Sequence, residues 1–169
     1  MRTVVFALAL VALAATLSRA AAIIVHPGES IQAALDRAVS GDTVVVQPGV
    51  YVEAGHPCPH DPSRVCAVTI TKSQVKLLAA RLSYQIVVLR AAAGQDVGIA
   101  VANPASQGPD CLEDSAARLV GAAVEGFTIE GFDRSGIQTQ CTDGAVVRGN
   151  TLDGGEQYGV EAAYAVGGR

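Results

Sequence analysis

"VEGFTIEGFDRSGIQ" (residues 124–138) and "VRGNTLDGGEQYGVE" (residues 147–161) lie 23 residues apart and align without a gap. They share Val124/Val147, Gly126/Gly149, Thr128/Thr151, Gly131/Gly154 and Gly136/Gly159. Other exchanges keep character: Ile129 for Leu152, Glu130 for Asp153, Asp133 for Glu156 and Ile137 for Val160. Apolar residues fall at short intervals between the glycines and never at helical spacing, so the repeating unit is built of short strands. A period of 23 is too short for helix-pair repeats, which take more than about thirty residues. It suits one winding of three short strands joined by tight bends, with glycine at corners that need positive φ. Leucine-rich repeats share the interval, but their Leu-x-x-Leu-x-Leu pattern is missing here. The spacing predicts an all-β chain wound as a parallel solenoid, in which residues 23 apart stack.

Upstream, "HPGESIQAALDRAVSGDTVVVQPGVYVEAG" (residues 26–55) reads as the start of the windings. Pro27-Gly28 turns the chain, Ser30 can cap a helix, and Ile31, Ala34, Leu35, Ala38 and Val39 share one face. Gly41 then ends the helix. Thr43–Val46 follows as a buried strand, and Pro48-Gly49 turns into Val50–Val52. An amphipathic helix here would cover the unpaired edges and apolar end of a first winding. "AVTITKSQVKLLAA" (residues 67–80), "QIVVLRAA" (residues 85–92) and "VGIAVAN" (residues 97–103) read as strands of the next windings. Gly98-Ile99 corresponds to Gly136-Ile137, but at a spacing of 38, so a loop from Asn103 to Arg118 holds about fifteen additional residues.

The stretch from Pro27 to Glu53 resembles the N-terminal cap and first coil of right-handed parallel β-helix proteins of the pectin-lyase-like superfamily. "GFTIEG" followed by "GI", and "VVRGNTLDGG" followed by "YGV", resemble that family's repeats. Together the resemblance covers residues 26–53 and 119–164. It implies a right-handed parallel β-helix with a capping helix. It does not choose among lyases, hydrolases, epimerases, copper-maturation proteins and adhesins, which all share the fold. Stacked asparagines often line a bend in this family; Asn150 has Phe127 as its equivalent one repeat earlier, so no ladder is expected.

The first 22 residues read differently. Arg2, an apolar run from Val4 to Leu17 and small residues through Ala22 form a secretory leader with cleavage sites after Ala20 or Ala22. The expected domain then spans residues 23–169, exported to a secreted or periplasmic location and, once the leader is cut, without a membrane segment. Losing Arg2 and Arg19 leaves ten basic against sixteen acidic side chains, a net charge of −6. That balance argues against nucleic acid and against a polybasic membrane contact. The chain ends at "AAYAVGGR" with no closing helix. It is expected to be the N-terminal part of a longer solenoid, continuing into further windings, or to be covered by a partner or by self-stacking.

Four cysteines in an exported chain favour two disulfides. Of three possible pairings, Cys58–Cys66 and Cys111–Cys141 each bracket a Pro-rich or polar excursion that has no core of its own.

The repeat register would stack Glu130 over Asp153 and Asp133 over Glu156, at about 4.8 Å between neighbouring strands. A calcium ion would relieve such stacked carboxylates, and the resemblance permits one; solvent screening would do so equally. In "HPCPHDPSRVC", His56 and His60 are acceptable zinc or copper ligands beside Cys58 and Cys66. Against that, Cys-x7-Cys is an unusual zinc spacing and an oxidising compartment favours a disulfide. No catalytic motif is legible: Arg134, Arg148, Asp143, Asp153 and Glu156 are available for acid–base work, but in no pattern that matches a lyase or hydrolase. The catalytic residues are therefore unknown from sequence. The expected function is an extracytoplasmic binding or scaffold module with a polysaccharide ligand. The alternatives are the N-terminal part of a polysaccharide lyase or related enzyme, and a metal-handling exported protein.

Overall fold

In a computed structural model, residues 20–82, 84–106, 108–154 and 157–169 are described. The chain enters through β1 (Ala22–Val25) and α1 (Ile31–Arg37), then runs through β2 (Thr43–Val46), β3 (Gly49–Tyr51), β4 (His56–Cys58) and β5 (Asp61–Ile70). Next come β6 (Lys76–Ala79), β7 (Val87–Arg90) and β8 (Val97–Ala102), followed by α2 (Asp110–Glu113) and a 3-10 turn at Ser115–Ala117. The remainder is β9 (Leu119–Val120), β10 (Ala123–Glu125), β11 (Thr128–Glu130), β12 (Ser135–Gln140), β13 (Thr142–Asp143), β14 (Val146–Arg148), β15 (Thr151–Asp153) and β16 (Tyr158–Ala163).

The protein is mostly β, and its sheets are parallel. The first sheet has the order β1-β2-β6-β10-β14, the second β3-β7-β11-β15 and the third β4-β5-β8-β12-β16, with a short β9-β13 pair beside them. Each successive triplet, such as β10, β11 and β12, thus gives one strand to each sheet. β4 is the exception, pairing antiparallel with β5 as a hairpin. Residues 23 apart are direct partners: Val124 faces Val147, Ile129 faces Leu152 and Ile137 faces Val160. The wider spacing also holds register, with Ile99 opposite Ile137.

Stacking identical positions produces three apolar rows. Val44, Leu77, Val124 and Val147 line the first sheet, Tyr51, Leu89, Ile129 and Leu152 the second, and Val68, Ile99, Ile137 and Val160 the third. The rows from the first three triplets are buried, and Phe127 and Phe132 join them in one core. In the last triplet Val147 and Leu152 are half-buried and Val160 is exposed.

The helix is set by its caps. Ser30 Oγ accepts from Ala33 N, and Glu53 accepts from both Ser30 Oγ and Ile31 N, tying α1 to the end of β3. Ile31, Ala34, Leu35 and Ala38 are buried as the periodicity predicts, but Val39 is 52% exposed. The chain leaves helical geometry at Ala38 (φ −61, ψ 145), which swings Val39 off the apolar face. Gly41, at φ 97, serves the turn into β2 and not the helix end. The orphan carbonyls at that end go to Lys72, whose Nζ donates to Leu35 O, Asp36 O and Ala38 O at 3.2, 2.7 and 2.6 Å. Lys72→Met keeps the aliphatic stem and removes these bonds, and is expected to cost about 1–2 kcal/mol. A urea midpoint unchanged from wild type would refute that role.

The corner glycines need one correction. Gly126, Gly149, Gly131 and Gly154 do hold positive φ, but the third repeated pair, Gly136 and Gly159, does not. Those two sit inside strands β12 and β16; at Gly136 crowding and not backbone handedness favours glycine, whereas a Cβ at Gly159 would meet only an ordinary contact.

Cys58–Cys66 closes the β4–β5 hairpin, and Cys111–Cys141 ties α2 to the end of β12. Two disulfides place the chain in an oxidising, extracytoplasmic compartment. Among the described residues no helix is long and apolar enough to cross a membrane. Residues 1–19 of the expected leader lie outside the described residues, whereas Ala22 already opens β1.

Candidate functional site

The third sheet carries the densest polar arrangement. Inward, Ile99 and Ile137 fill the core; outward, register sets Ala100, Gln138 and Glu161 in one row and Val97, Ser135 and Tyr158 in another. The disulfide hairpin lies against this outer face. Cys58 and Cys66 bury against Val97 and Ala100, whose small side chains leave room for it. The hairpin turn brings His60, Asp61 and Arg64 towards Gln138 and Glu161. Gln138, which the strand pattern alone would expose, is consequently only 4% exposed.

Arg134 organises the open part of the face. Its Nη2 and Nε donate to Glu161 Oε1 and Oε2 at 3.0 and 3.1 Å, a two-point fork, and its Nη1 donates to Gln157 Oε1 at 2.8 Å. The guanidinium also sits 5.7 Å from the centroid of the Tyr158 ring, within cation–π range. Ser135 Oγ donates to Glu161 Oε2 at 3.1 Å. The Arg134 fork, aided by Ser135, holds the Glu161 carboxyl below the usual range, and Glu161 in turn raises the Arg134 guanidinium. Tyr158 remains 49% exposed, so one face of an aromatic ring is presented next to a fixed polar set.

Beneath the hairpin, burial pushes His60 below the ordinary imidazole value, opposed by Asp61 and Glu161. The His60 Nδ1 and the neighbouring Gln138 Oε1 are shielded from solvent and make no hydrogen bond with described residues. A shielded imidazole beside an amide leaves hydrogen-bonding capacity unspent at the covered edge of the site.

The sequence-derived metal candidates separate. Glu130 does stand opposite Asp153, but its other register neighbour is Arg90, whose Nε donates to Glu130 Oε1 at 2.6 Å. A guanidinium therefore relieves the stack on one side. Asp133 lies in the turn before β12, its N bound to Gln95 O, and Glu156 lies outside the described residues. His56 Nε2 is 3.0 Å from Thr69 Oγ1, while His60 faces Gln138, and the sulfurs of Cys58 and Cys66 are bound to each other. Among the described residues no group of three His, Cys, Asp or Glu side chains is placed to hold a metal ion. Glu125 and Arg148 pair across register at 2.7 Å on the surface. Asn150 bridges to the preceding triplet, accepting from Phe127 N and donating to Val124 O, both at 3.0 Å.

Sequence reasoning missed the Arg134–Glu161–Tyr158 group. Its signal was present, since Ser135/Tyr158 and Gln138/Glu161 are each 23 apart, but those pairs exchange residue types and so carried no visible motif. Compared with protein-family models, curated proteins and solved structures, the chain matches none.

Proposed function

We propose that the chain is an exported, right-handed parallel β-helix of the pectin-lyase-like kind, closed at one end by α1, and that it acts as an extracytoplasmic carbohydrate-binding or scaffold module. The observation that carries the ligand reading is the outer face of the third sheet. There Tyr158 offers a half-exposed ring beside the fixed donors and acceptors of Arg134, Gln157, Ser135 and Glu161. Sugar rings stack their C–H faces on aromatic rings while their hydroxyls bond to amides, carboxylates and guanidinium groups. Parallel in-register strands hold such a set rigidly, which lowers the ordering cost of binding. Arg134 is already committed to Glu161 in a two-point pair, and the chain is acidic. Both favour a neutral polysaccharide over a uronate polymer.

The test is NMR or calorimetric titration of the full exported chain with neutral and uronate oligosaccharides. Binding of a neutral oligosaccharide is expected, with Tyr158→Ala weakening it at least about tenfold, the cost of about 1.4 kcal/mol. Arg134→Lys, which keeps the charge but not the fork, is expected to weaken it as well. Absence of binding to either class, or equal binding by Tyr158→Ala, would remove this reading. Selective uptake of uronates would overturn the preference for a neutral ligand.

A further inference from the structure

β1 leaves a question about where the folded chain starts. Ala22 is not a spacer: it pairs with Thr43 in the first sheet, followed by Ile23 with Val44 and Ile24 with Val45. Ala21 is engaged too. Its carbonyl accepts from Thr43 N at 2.8 Å, and its own N donates to Asp42 Oδ1 at 2.8 Å. The other Asp42 oxygen, Oδ2, accepts from Val39 N at 2.9 Å. Asp42 is a buried carboxylate, only 5% exposed, and these two N–H groups are the partners that hold it ionised. The cation facing it from another element is Lys72, whose Nζ is already spent on the carbonyls at the end of α1. Ala20, exposed like its two successors, lies before β1 and pairs with no strand.

Two bonds in this segment carry the small residues that leader peptidases require at the first and third positions before the cut. Ser18 and Ala20 precede the Ala20–Ala21 bond; Ala20 and Ala22 precede the Ala22–Ile23 bond. The fold separates them. Cutting after Ala22 would delete a paired residue of β1, remove the Ala21–Thr43 bond, and leave Asp42 buried with one of its two partners gone. Cutting after Ala20 keeps every one of these contacts.

We propose that the mature chain begins at Ala21, and that its new α-ammonium is received by the Asp42 carboxylate. A leader-removing endopeptidase hydrolyses the Ala20–Ala21 peptide bond: the C–N bond breaks, water supplies the hydroxyl that completes the Ala20 carboxyl group, and the Ala21 nitrogen takes the proton. That nitrogen already lies 2.8 Å from Asp42 Oδ1, so cleavage and protonation turn a backbone hydrogen bond into a charge-assisted one between the same two atoms. The first strand is thereby anchored at its start, and the sheet edge it covers is kept closed. The proposal rests on export of the chain but not on what the exported chain binds.

The full chain, expressed in a secreting host, is expected to appear outside the cytoplasm with a mass and N-terminal sequence starting at Ala21. A secreted chain starting at Ile23 would overturn this proposal alone; a retained, uncut leader would overturn it together with the export reading. Two chains released from a fusion without extra residues, one starting at Ala21 and one at Ile23, provide the second measurement. The Ile23 chain is expected to melt at least about 4 °C lower, and equal midpoints would refute the anchoring. In the Ala21 chain the α-amino group is expected to titrate above its ordinary range of about 7.7–8.0 and to return to it in Asp42→Asn. The same value in both would exclude the ion pair.

Discussion

Ile129→Ala is expected to lower the stability of the chain by about 3–4 kcal/mol, with Leu152→Ala costing less than half as much. The two residues occupy the same place in successive triplets and face each other directly. Ile129 is only 1% exposed, because Leu89 covers it from one side and Leu152 from the other. Truncating it removes three carbons and opens a void that neither neighbour can fill without breaking register, since the strands on both sides are fixed by backbone bonds. Leu152 packs against the core from one side and is half-buried, so the surrounding structure loses less and water can enter what is left. Urea unfolding followed by circular dichroism measures both. Equal costs would mean that burial does not depend on a neighbour at the next triplet, and the stacked-row account of the core would fail. A large cost at Leu152 with a small one at Ile129 would contradict it more sharply.

What could be read from the sequence follows from what repeats. Ile129 and Leu152, or Ile137 and Val160, keep their character because each triplet meets the same environment as the last; a conserved local environment leaves a visible period. The strand register, the capping helix and its Ser30 cap were legible for that reason or from local rules. Departures from the period were not. The partner of Glu130 is Arg90, 40 residues earlier, because the loop holding α2 intervenes, and reading only the 23-residue neighbour found a second carboxylate and suggested a cation. Gln138 follows the pattern of an exposed strand residue. Its burial comes from the β4–β5 hairpin, an antiparallel insertion whose direction of folding is set by Cys58, Cys66, Val97 and Ala100 meeting over the sheet. Val39 belongs to the helical stripe by spacing alone, but the helix has ended before it. For Glu130 and Gln138 the competing information is a tertiary contact, and for Val39 it is the point at which the helix stops; a 23-residue period encodes neither.

Gly98→Ala is expected to destabilise the chain by about 3 kcal/mol, more than the same exchange at either register-equivalent glycine. Gly98, Gly136 and Gly159 occupy matching positions of β8, β12 and β16, and none of them has positive φ, so alanine can adopt the backbone conformation at all three. Space is what differs. A Cβ at Gly98 would come 2.5 Å from Gly136 O and 2.7 Å from Ile129 Cγ2, and the first of these is backbone in a paired strand that cannot yield. At Gly136 the nearest atom, at 2.9 Å, is Leu152 Cδ2, the end of a side chain that can rotate, and the backbone contact, Gly159 O, is at 3.1 Å and not 2.5 Å. At Gly159 the nearest is 3.4 Å, an ordinary contact. The costs should therefore fall along the axis, to about 1–2 kcal/mol at Gly136. At Gly159 the loss of glycine's freedom in the unfolded chain should make alanine neutral or stabilising by about 0.4–1 kcal/mol. Gly144→Ala is the control: φ is 64 and nothing lies within 4 Å, so only the left-handed backbone cost of about 1–2 kcal/mol is expected. Denaturant midpoints of the four variants decide between causes. A graded series at 98, 136 and 159 assigns glycine there to close packing of successive strands, whereas equal costs at all three, matching Gly144, would assign it to backbone conformation and would contradict the crowding of β8 against β12.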